Sequence, residues 1–208
     1  MHPMLLAAVL VAVPSPAVRA AVAPAPADSI ARAAFHDAMR QLWEDHIVWT
    51  RTFIISAVAG LPDADQAAER LLQNQADIGA AIAPFYGESA AGQLTTLLRG
   101  HILTAARLVG AAKTGDTTAV NGASVAWYAN ADSIADFLAA ANPRHWPRAA
   151  LRSAMRMHLD LTLQEATARL RGDWKADVAA YDAVHRHILQ MADVLSDGIV
   201  AQFPGRFN

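Results

Sequence analysis

Apolar residues recur every three or four positions along most of the chain, which is the spacing of an amphipathic α-helix. From Asp28 onward almost no segment alternates apolar and polar residues, so strands are not expected. The pattern predicts six helices, at about 29–59, 64–83, 90–113, 117–141, 147–171 and 174–201. Because the connections are short, neighbouring helices should pack in opposite directions. The expected fold class is all-α: an up-and-down six-helix bundle built from three antiparallel helical hairpins.

Capping residues mark the ends of these predicted helices. Gly115-Asp116 and Gly172-Asp173 each combine a glycine that ends one helix with an aspartate that begins the next. Asp63 and Gln66 have the spacing of a capping box at the start of the second helix. The second helix is expected to stop near Pro84 and Gly87.

The last two predicted hairpins are similar to each other at a fixed offset. The same offset of 57 residues relates His101 to His158, Gly115 to Gly172, Asp136 to Asp193, Leu138 to Leu195 and Pro147 to Pro204. The first hairpin fits more loosely, since His46 precedes His101 by 55 residues. The pattern predicts three related helical hairpins.

The distances of the histidines from the turns predict where they lie in the bundle. His101 and Asn130 are equally far in sequence from the turn between their helices, so they should face each other about 21 Å from that turn, at about 1.5 Å per residue. The same count pairs His158 with His187 and the nearby His185, and pairs His46 with Asn74 and Asp77. If the hairpins pack in register, the histidines share one layer.

Imidazoles that converge on one layer of a bundle suit a transition metal, because neutral imidazole binds zinc, copper and iron. The predicted ligands are histidines of the layer and two nearby carboxylates, namely His46, His101, His158, His185, Asp182 and Glu44. The supporting positions are other polar residues near them, namely Asn74, Asp77, Asn130, Glu165, Asp177, Tyr181 and His187. Asp182 and His185 have the i, i+3 spacing that lets two side chains of one helix reach one ion. The leading hypothesis is therefore an exported helical-bundle protein that binds zinc, copper or iron in its core.

Two other hypotheses fit the same residues. A buried histidine is commonly paired with an asparagine or aspartate of the next helix, so the repeated His–Asn pairs can be purely structural. The protein would then be a non-enzymatic module that binds a partner or a small apolar ligand between its hairpins. A hydrolase or oxidase at the same layer is the third hypothesis. Asp177, Tyr181 and His185 form a separate i, i+4, i+8 stripe that fits a hydrogen-bonded relay and a solvated helix edge equally well. The sequence leaves catalytic turnover open.

The amino-acid composition limits the kinds of functional site that this chain can form. Charged residues make up 17% of the chain and the formal net charge is -2, so no electrostatic footprint for nucleic acid is present. The absence of cysteine excludes disulfides, iron–sulfur clusters and covalent haem attachment. The sequence has no phosphate-binding glycine loop and no nucleophile elbow, so no nucleotide cofactor is expected. Histidine and carboxylate remain as the main ligands.

The first residues predict export. Residues 4–13 form an apolar run of signal-peptide length, too short for the roughly 20 residues that span a bilayer, and small residues follow at Ala17 and Ala20. We expect a signal peptide at 1–20, an Ala/Pro tether at 21–28 and a single helical-bundle domain at 29–208. The cleaved protein should be periplasmic or secreted, without stable membrane insertion.

Five segments carry a resemblance to other proteins. They are LWEDHIVWTR, NQADIGAAIAPFYG, HILTAARLVGAAKTGD, WYANADSIADFLAAANP and MHLDLTLQEATARLRGDWKADVAAYDAVHRHIL. Together they resemble a family of small exported bacterial proteins of unsettled function, over nearly all of the predicted mature chain. Members sometimes carry the labels glycosyltransferase or acetylglutamate kinase, and neither fits an all-helical chain without a nucleotide site. The resemblance implies a single helical domain, implies no reaction, and draws attention to His46, Asn74, His101, Asn130, His158 and His185.

Overall fold

The structure is a computed structural model, and it describes residues 27–207, with side chains from residue 29. Within that range the chain forms no strand and six α-helices: α1 (Ala27–Ala59), α2 (Ala64–Tyr86), α3 (Glu88–Thr114), α4 (Thr117–Ala141), α5 (Arg148–Arg171) and α6 (Trp174–Gln202). A 3-10 turn at Pro204–Arg206 follows α6. The predicted all-α class is confirmed.

The predicted signal peptide at 1–20, and all but the last two residues of the predicted tether at 21–28, lie outside the described residues. The first helix begins two residues earlier than predicted, at Ala27. Among the helices that the structure describes, none combines the length and the hydropathy needed to cross a membrane.

The two predicted glycine–aspartate turns are confirmed. Gly115 and Gly172 adopt the left-handed conformation, with φ of 74° and 69°, which favours glycine because it has no Cβ. Asp116 and Asp173 each accept a hydrogen bond from the backbone N–H three residues further on, at 2.9 and 3.0 Å. These bonds satisfy N–H groups that have no partner inside the helix. The turns thus fix where α3 and α5 end and where α4 and α6 begin.

The predicted capping box at the start of α2 is wrong, whereas its predicted end near Gly87 is confirmed. Asp63 precedes the helix with φ of -92° and ψ of 2°, and its side chain makes no capping hydrogen bond, so the capping box with Gln66 does not form. Capping needs a more extended backbone than Asp63 has. Pro84 lies inside the last turn of α2, which continues to Tyr86. A proline this close to the end costs few helical hydrogen bonds, and the chain leaves the helix at Gly87.

The six helices form a bundle in which each helix contacts the next one in sequence and α6 contacts α1. Aliphatic side chains such as Ile47, Ile134 and Ile188 are buried in its core. Each contributes about 1.5–3 kcal/mol to the free energy of unfolding. Alanines such as Ala131 and Ala192 have no exposed surface, and small side chains of this kind let helices approach closely.

The connection between α4 and α5 is attached to α6 by two hydrogen bonds. Asn142 donates its side-chain amide to the carbonyl of Gly198 at 2.8 Å, and the indole of Trp146 donates to the carbonyl of Val194 at 3.2 Å. Trp146 is buried directly against Gly198, where a Cβ would lie 2.0 Å from the indole nitrogen. Only glycine therefore allows this close approach.

Candidate functional site

Three buried imidazoles lie side by side in the bundle core. His46 on α1, His101 on α3 and His158 on α5 are each 3–4% exposed. The ring centroid of His158 lies 5.7 Å from that of His46, 6.3 Å from that of His101, and 6.4 Å from that of the half-buried His187 on α6. We call these four residues the histidine layer. His158 is its centre, since its ring neighbours all three others.

The three buried histidines are uncharged at neutral pH. Burial lowers the pKa of His46 to about 3, and the nearby His101 lowers it further. Burial lowers the pKa of His101 to about 4 against the opposing effect of its hydrogen bond to Asn130. The pKa of His158 is also held well below its usual value, mainly by burial and then by the other three histidines. In a neutral imidazole ring one nitrogen carries the hydrogen and can donate it, and the other has a lone pair that can accept a hydrogen bond or bind a metal ion.

Both ring nitrogens of His101 have partners. The indole N–H of Trp127 donates to Nε2 of His101 at 3.2 Å, and Nδ1 of His101 lies 3.0 Å from Oδ1 of Asn130. Because an indole can only donate, Nε2 must accept, and the ring proton is on Nδ1, from which it is donated to Asn130. The predicted pairing of His101 with Asn130 is confirmed, and it fixes the orientation of His101.

His46 has a weaker partner. The amide nitrogen of Gln75 lies 2.8 Å from the carbonyl of Leu71, 3.0 Å from Oδ1 of Asn74 and 3.2 Å from Nδ1 of His46. An amide group has two hydrogens, so it cannot satisfy three acceptors. The longest of the three contacts is the one to His46. The amide hydrogens of Gln75 therefore serve Nδ1 of His46 least, and Oε1 of the same amide is buried without a partner.

His158 has a nitrogen with no partner. Its Nδ1 is buried and makes no hydrogen bond. The rings of its three imidazole neighbours lie around it, and its Nδ1 bonds to none of them. A buried polar atom without a partner costs about 1–3 kcal/mol, which is why such atoms often mark a site for an ion, a water or a ligand.

Three hydrogen bonds of the same kind hold the layer's helices together. Side chains of the even-numbered helices bond to carbonyls of the odd-numbered ones, in the pairs Asn74 with Leu42, Asn130 with Leu97 and His187 with Ala154, at 2.9, 3.1 and 2.9 Å. Each accepting carbonyl lies four residues before the buried histidine of its own helix. The three bonds therefore occupy equivalent positions.

A buried ionic cluster between α1, α5 and α6 holds three of the predicted supporting residues. Arg51 donates to Glu165 at 2.7 Å and to Asp177 at 2.9 and 3.2 Å, and Arg169 donates to Asp177 at 3.2 Å. The guanidinium of Arg51 also lies over the ring of Tyr181, 4.6 Å from its centroid. These groups pair with one another and with arginine, not with the histidine layer.

Glu165 is the unusual member of this cluster. It has no exposed surface, and its Oε2 has no hydrogen-bond partner. Burial raises the pKa of Glu165 to about 7, although the bond to Arg51 lowers it. Asp177 differs, since its bonds to Arg51 and Arg169 outweigh burial and lower its pKa. The cluster thus contains one carboxyl that titrates near neutrality.

The other predicted ligands lie away from the histidine layer. His185 contacts Glu44 at 3.0 Å in an exposed pair, and Asp182 is exposed. Asp77 bonds to Gln73 instead of facing His46. Within residues 29–207 no group of three or more histidine, aspartate or glutamate residues is arranged to hold a metal ion.

Sequence reasoning missed three residues that shape the site. Gln75 contacts His46 where its neighbour Asn74 was predicted, Trp127 bonds to His101, and Arg51 holds the ionic cluster. Arg51 could have been found, because it is the only charged residue in the segment 47–59. An isolated charge in an apolar helix needs a buried partner.

Comparison with protein-family models, with curated proteins and with solved structures finds no match for this chain. The family resemblance drawn from the sequence therefore stays a prediction, and the geometry of the site is the basis for the proposed function.

Proposed function

We propose that the histidine layer binds one transition-metal ion through His46 and His158. The observation that carries this proposal is a pair of buried, uncharged imidazoles with ring centroids 5.7 Å apart. Nδ1 of His158 has no partner, and Nδ1 of His46 has only a 3.2 Å contact with an amide nitrogen that also bonds to two oxygen atoms. Two imidazoles bonded to one ion at about 2 Å have ring centroids about 5 Å apart at a tetrahedral angle and about 6.3 Å apart on opposite sides of the ion, so 5.7 Å fits a bent pair of ligands. An ion between them would give both nitrogens a partner.

Copper(I) suits this environment better than the zinc or iron ions also predicted from the sequence. The layer contains no carboxylate, and the nearest buried ones are paired with arginine. The cost of burying an ion rises with the square of its charge, so an uncompensated divalent ion is disfavoured. Zinc also needs about four ligands, whereas imidazole binds copper well.

His101 and His187 act as positioning residues in this proposal. The nitrogens of His101 are bonded to Trp127 and Asn130, and Nε2 of His187 contacts the carbonyl of Ala154. Their rings flank His158 and restrict its orientation. His101 would have to give up the bond from Trp127 before it could bind an ion.

We also propose that the six helices form three related hairpins and that the protein is exported. The three equivalent side-chain-to-carbonyl bonds and the two matching glycine–aspartate turns support three related antiparallel hairpins. The apolar run at 4–13 supports export to the periplasm or the medium. The amino-terminal sequence of exported protein should then begin after residue 20, and an intact Met1 would contradict export.

A second candidate is that the histidines are purely structural and bind no metal. The complete hydrogen bonding of His101 favours it. The protein would then act as a non-enzymatic binding module, and the histidine layer would serve only to align the helices.

Copper(I) titration of the metal-free protein separates these candidates. The titration is carried out without oxygen, in competition with a chromophoric copper(I) chelator. We expect one ion per chain, and we expect binding to weaken at least about 10-fold in His46→Gln and in His158→Gln. Replacement of the exposed histidines, His145→Gln and His185→Gln, should leave binding unchanged, and circular dichroism checks that every variant is folded.

Two results would contradict the metal proposal. The first is no copper(I) uptake by the wild-type protein, which supports the structural candidate. The second is uptake that is lost in His185→Gln but kept in His158→Gln, which would place the ion at the exposed pair with Glu44.

A further inference from the structure

An apolar cavity lies next to the histidine layer. Its volume is about 150 Å³, and its walls come from α1 to α5. Most of the wall is aliphatic or aromatic, with Phe53, Ile54, Leu108, Val109, Ala166 and Leu170 among its residues. Trp127 and Thr162 line it as well, and they connect it to the layer, because Trp127 bonds to His101 and Thr162 bonds to the carbonyl of His158.

The cavity interrupts the hydrophobic core. Ile54, Val109 and Ala166 form a small buried cluster separate from the main core, and all three line the cavity. Protein interiors are normally packed as densely as organic crystals, with few voids larger than one water molecule. An unfilled space of this size loses the contacts that its wall would otherwise make. A ligand that fills the space would restore them.

The walls offer little to water or to an ion. None of the lining residues is charged. The hydroxyls of Thr50 and Thr162 already donate to carbonyls of their own helices at 2.8 Å, and the N–H of Trp127 is taken by His101. Thr167 is the fourth polar residue of the wall. A buried water needs about 2–4 polar partners, but Thr50 and Thr162 can only accept a hydrogen bond and Trp127 offers none, so among the lining residues only Thr167 has a hydroxyl hydrogen left to donate. The space is therefore suited to an apolar occupant.

We infer that this cavity is a binding site for a small uncharged molecule of about one aromatic ring. An apolar cavity of roughly 150 Å³ in another helical protein stays dry and binds benzene. Thr50 or Thr162 can accept one hydrogen bond, so a ring with a single hydroxyl fits as well as a hydrocarbon ring. A carboxylate or an ammonium of the same size does not fit, since its charge would be buried without a partner.

This site does not depend on the metal proposal, and it is tested on metal-free protein. The probes are toluene and phenol, with benzoate as the charged control of matching size. Toluene and phenol should bind with one site per chain by calorimetry, and saturation should raise Tm by at least about 2 °C. Benzoate should do neither.

Variants locate the binding. Ala166→Leu and Ala105→Leu each place a larger side chain in the cavity wall, and either should weaken toluene binding at least about 10-fold. Ala126→Leu makes the same change on the exposed side of α4 and should bind toluene like the wild type. Two wall variants are used, so the test can still be carried out if one of them fails to fold.

Three results would overturn the inference. They are no saturable binding of toluene or phenol to the wild type, benzoate binding as tightly as toluene, and unchanged toluene binding in whichever wall variants fold. The first two results need no variant.

Discussion

Acidification should destabilise this protein, and the histidine layer determines by how much. His46, His101 and His158 have pKa values below 6.5 in the folded state because of burial, whereas in the unfolded chain they titrate near 6.5. Below pH 6.5 the unfolded state therefore binds more protons, and the free energy of unfolding falls as the pH falls. For His46 the loss continues to a pH of about 3, and for His101 to about 4.

The magnitude follows from these shifts. Well below pH 6.5 the loss approaches about 1.4 kcal/mol per pH unit for each histidine, so His46 and His101 together cost about 4 kcal/mol between pH 7 and pH 5, and His158 adds to this loss. Glu165 acts in the opposite direction, because its pKa is raised from 4.5 to about 7 and the folded state binds the extra proton. Protonation of Glu165 offsets about 2 kcal/mol of the histidine loss over the same pH interval. The net loss of at least about 2 kcal/mol is a substantial part of a total stability of about 5–15 kcal/mol.

Urea unfolding of metal-free protein at pH 7, 6 and 5, followed by far-ultraviolet circular dichroism, measures this loss. The His158→Gln variant should show a smaller fall, whatever its stability at pH 7, and His46→Gln should show a fall smaller by about 2 kcal/mol. The exposed control His145→Gln should behave like the wild type. A free energy of unfolding that stays flat or rises from pH 7 to pH 5, or a fall unchanged in His158→Gln, would refute the argument that the layer is neutral because it is buried.

Three further predictions concern stability and are measured by urea or thermal unfolding. Gly198→Ala should destabilise the protein by about 2–3 kcal/mol, because the added Cβ would lie 2.0 Å from the Trp146 indole nitrogen. Gly122→Ala is the control: its Cβ meets open space inside α4, so this change should stabilise the protein slightly. Equal effects of the two changes would contradict the close contact between Gly198 and Trp146. Asp173→Ala should cost about 1 kcal/mol through loss of its cap, while Asp63→Ala, which has no capping bond to lose, should cost close to nothing. Arg51→Met should cost about 3–5 kcal/mol at pH 8, since it removes the bonded partner of buried Glu165 and one of the two arginines that bond to Asp177, and it should cost less at pH 6, where Glu165 is protonated. A cost independent of pH would contradict the cluster.

The sequence was enough to predict the six helices and the level of the histidines. Helices rise by a constant distance per residue, and Gly115 and Gly172 mark the turns, so counting residues brought His101 to Asn130. Which side chain points inward was harder to predict. Neighbouring residues differ by about 100° around a helix, so counting could not distinguish Gln75 from Asn74.

The same geometric limit explains the wrong placement of the carboxylates. Glu165 lies two turns from His158 on the same helix face, which suggested a shared site. Arg51 of another helix binds it instead, and such long-range pairing depends on how helices are rotated against each other. The sequence predicts His185 near the layer, whereas in the structure its ring pairs with Glu44 near the surface. Local periodicity contains no information on these rotations.

X-ray absorption at the copper edge of protein loaded with one equivalent of copper(I) tests the central claim most directly. We predict two nitrogen ligands at about 2 Å, with the scattering pattern of imidazole, and we predict that this signal is lost in His46→Gln and in His158→Gln. An ion with carboxylate oxygen ligands, or an imidazole signal unchanged in His158→Gln, would contradict a two-histidine site in the core.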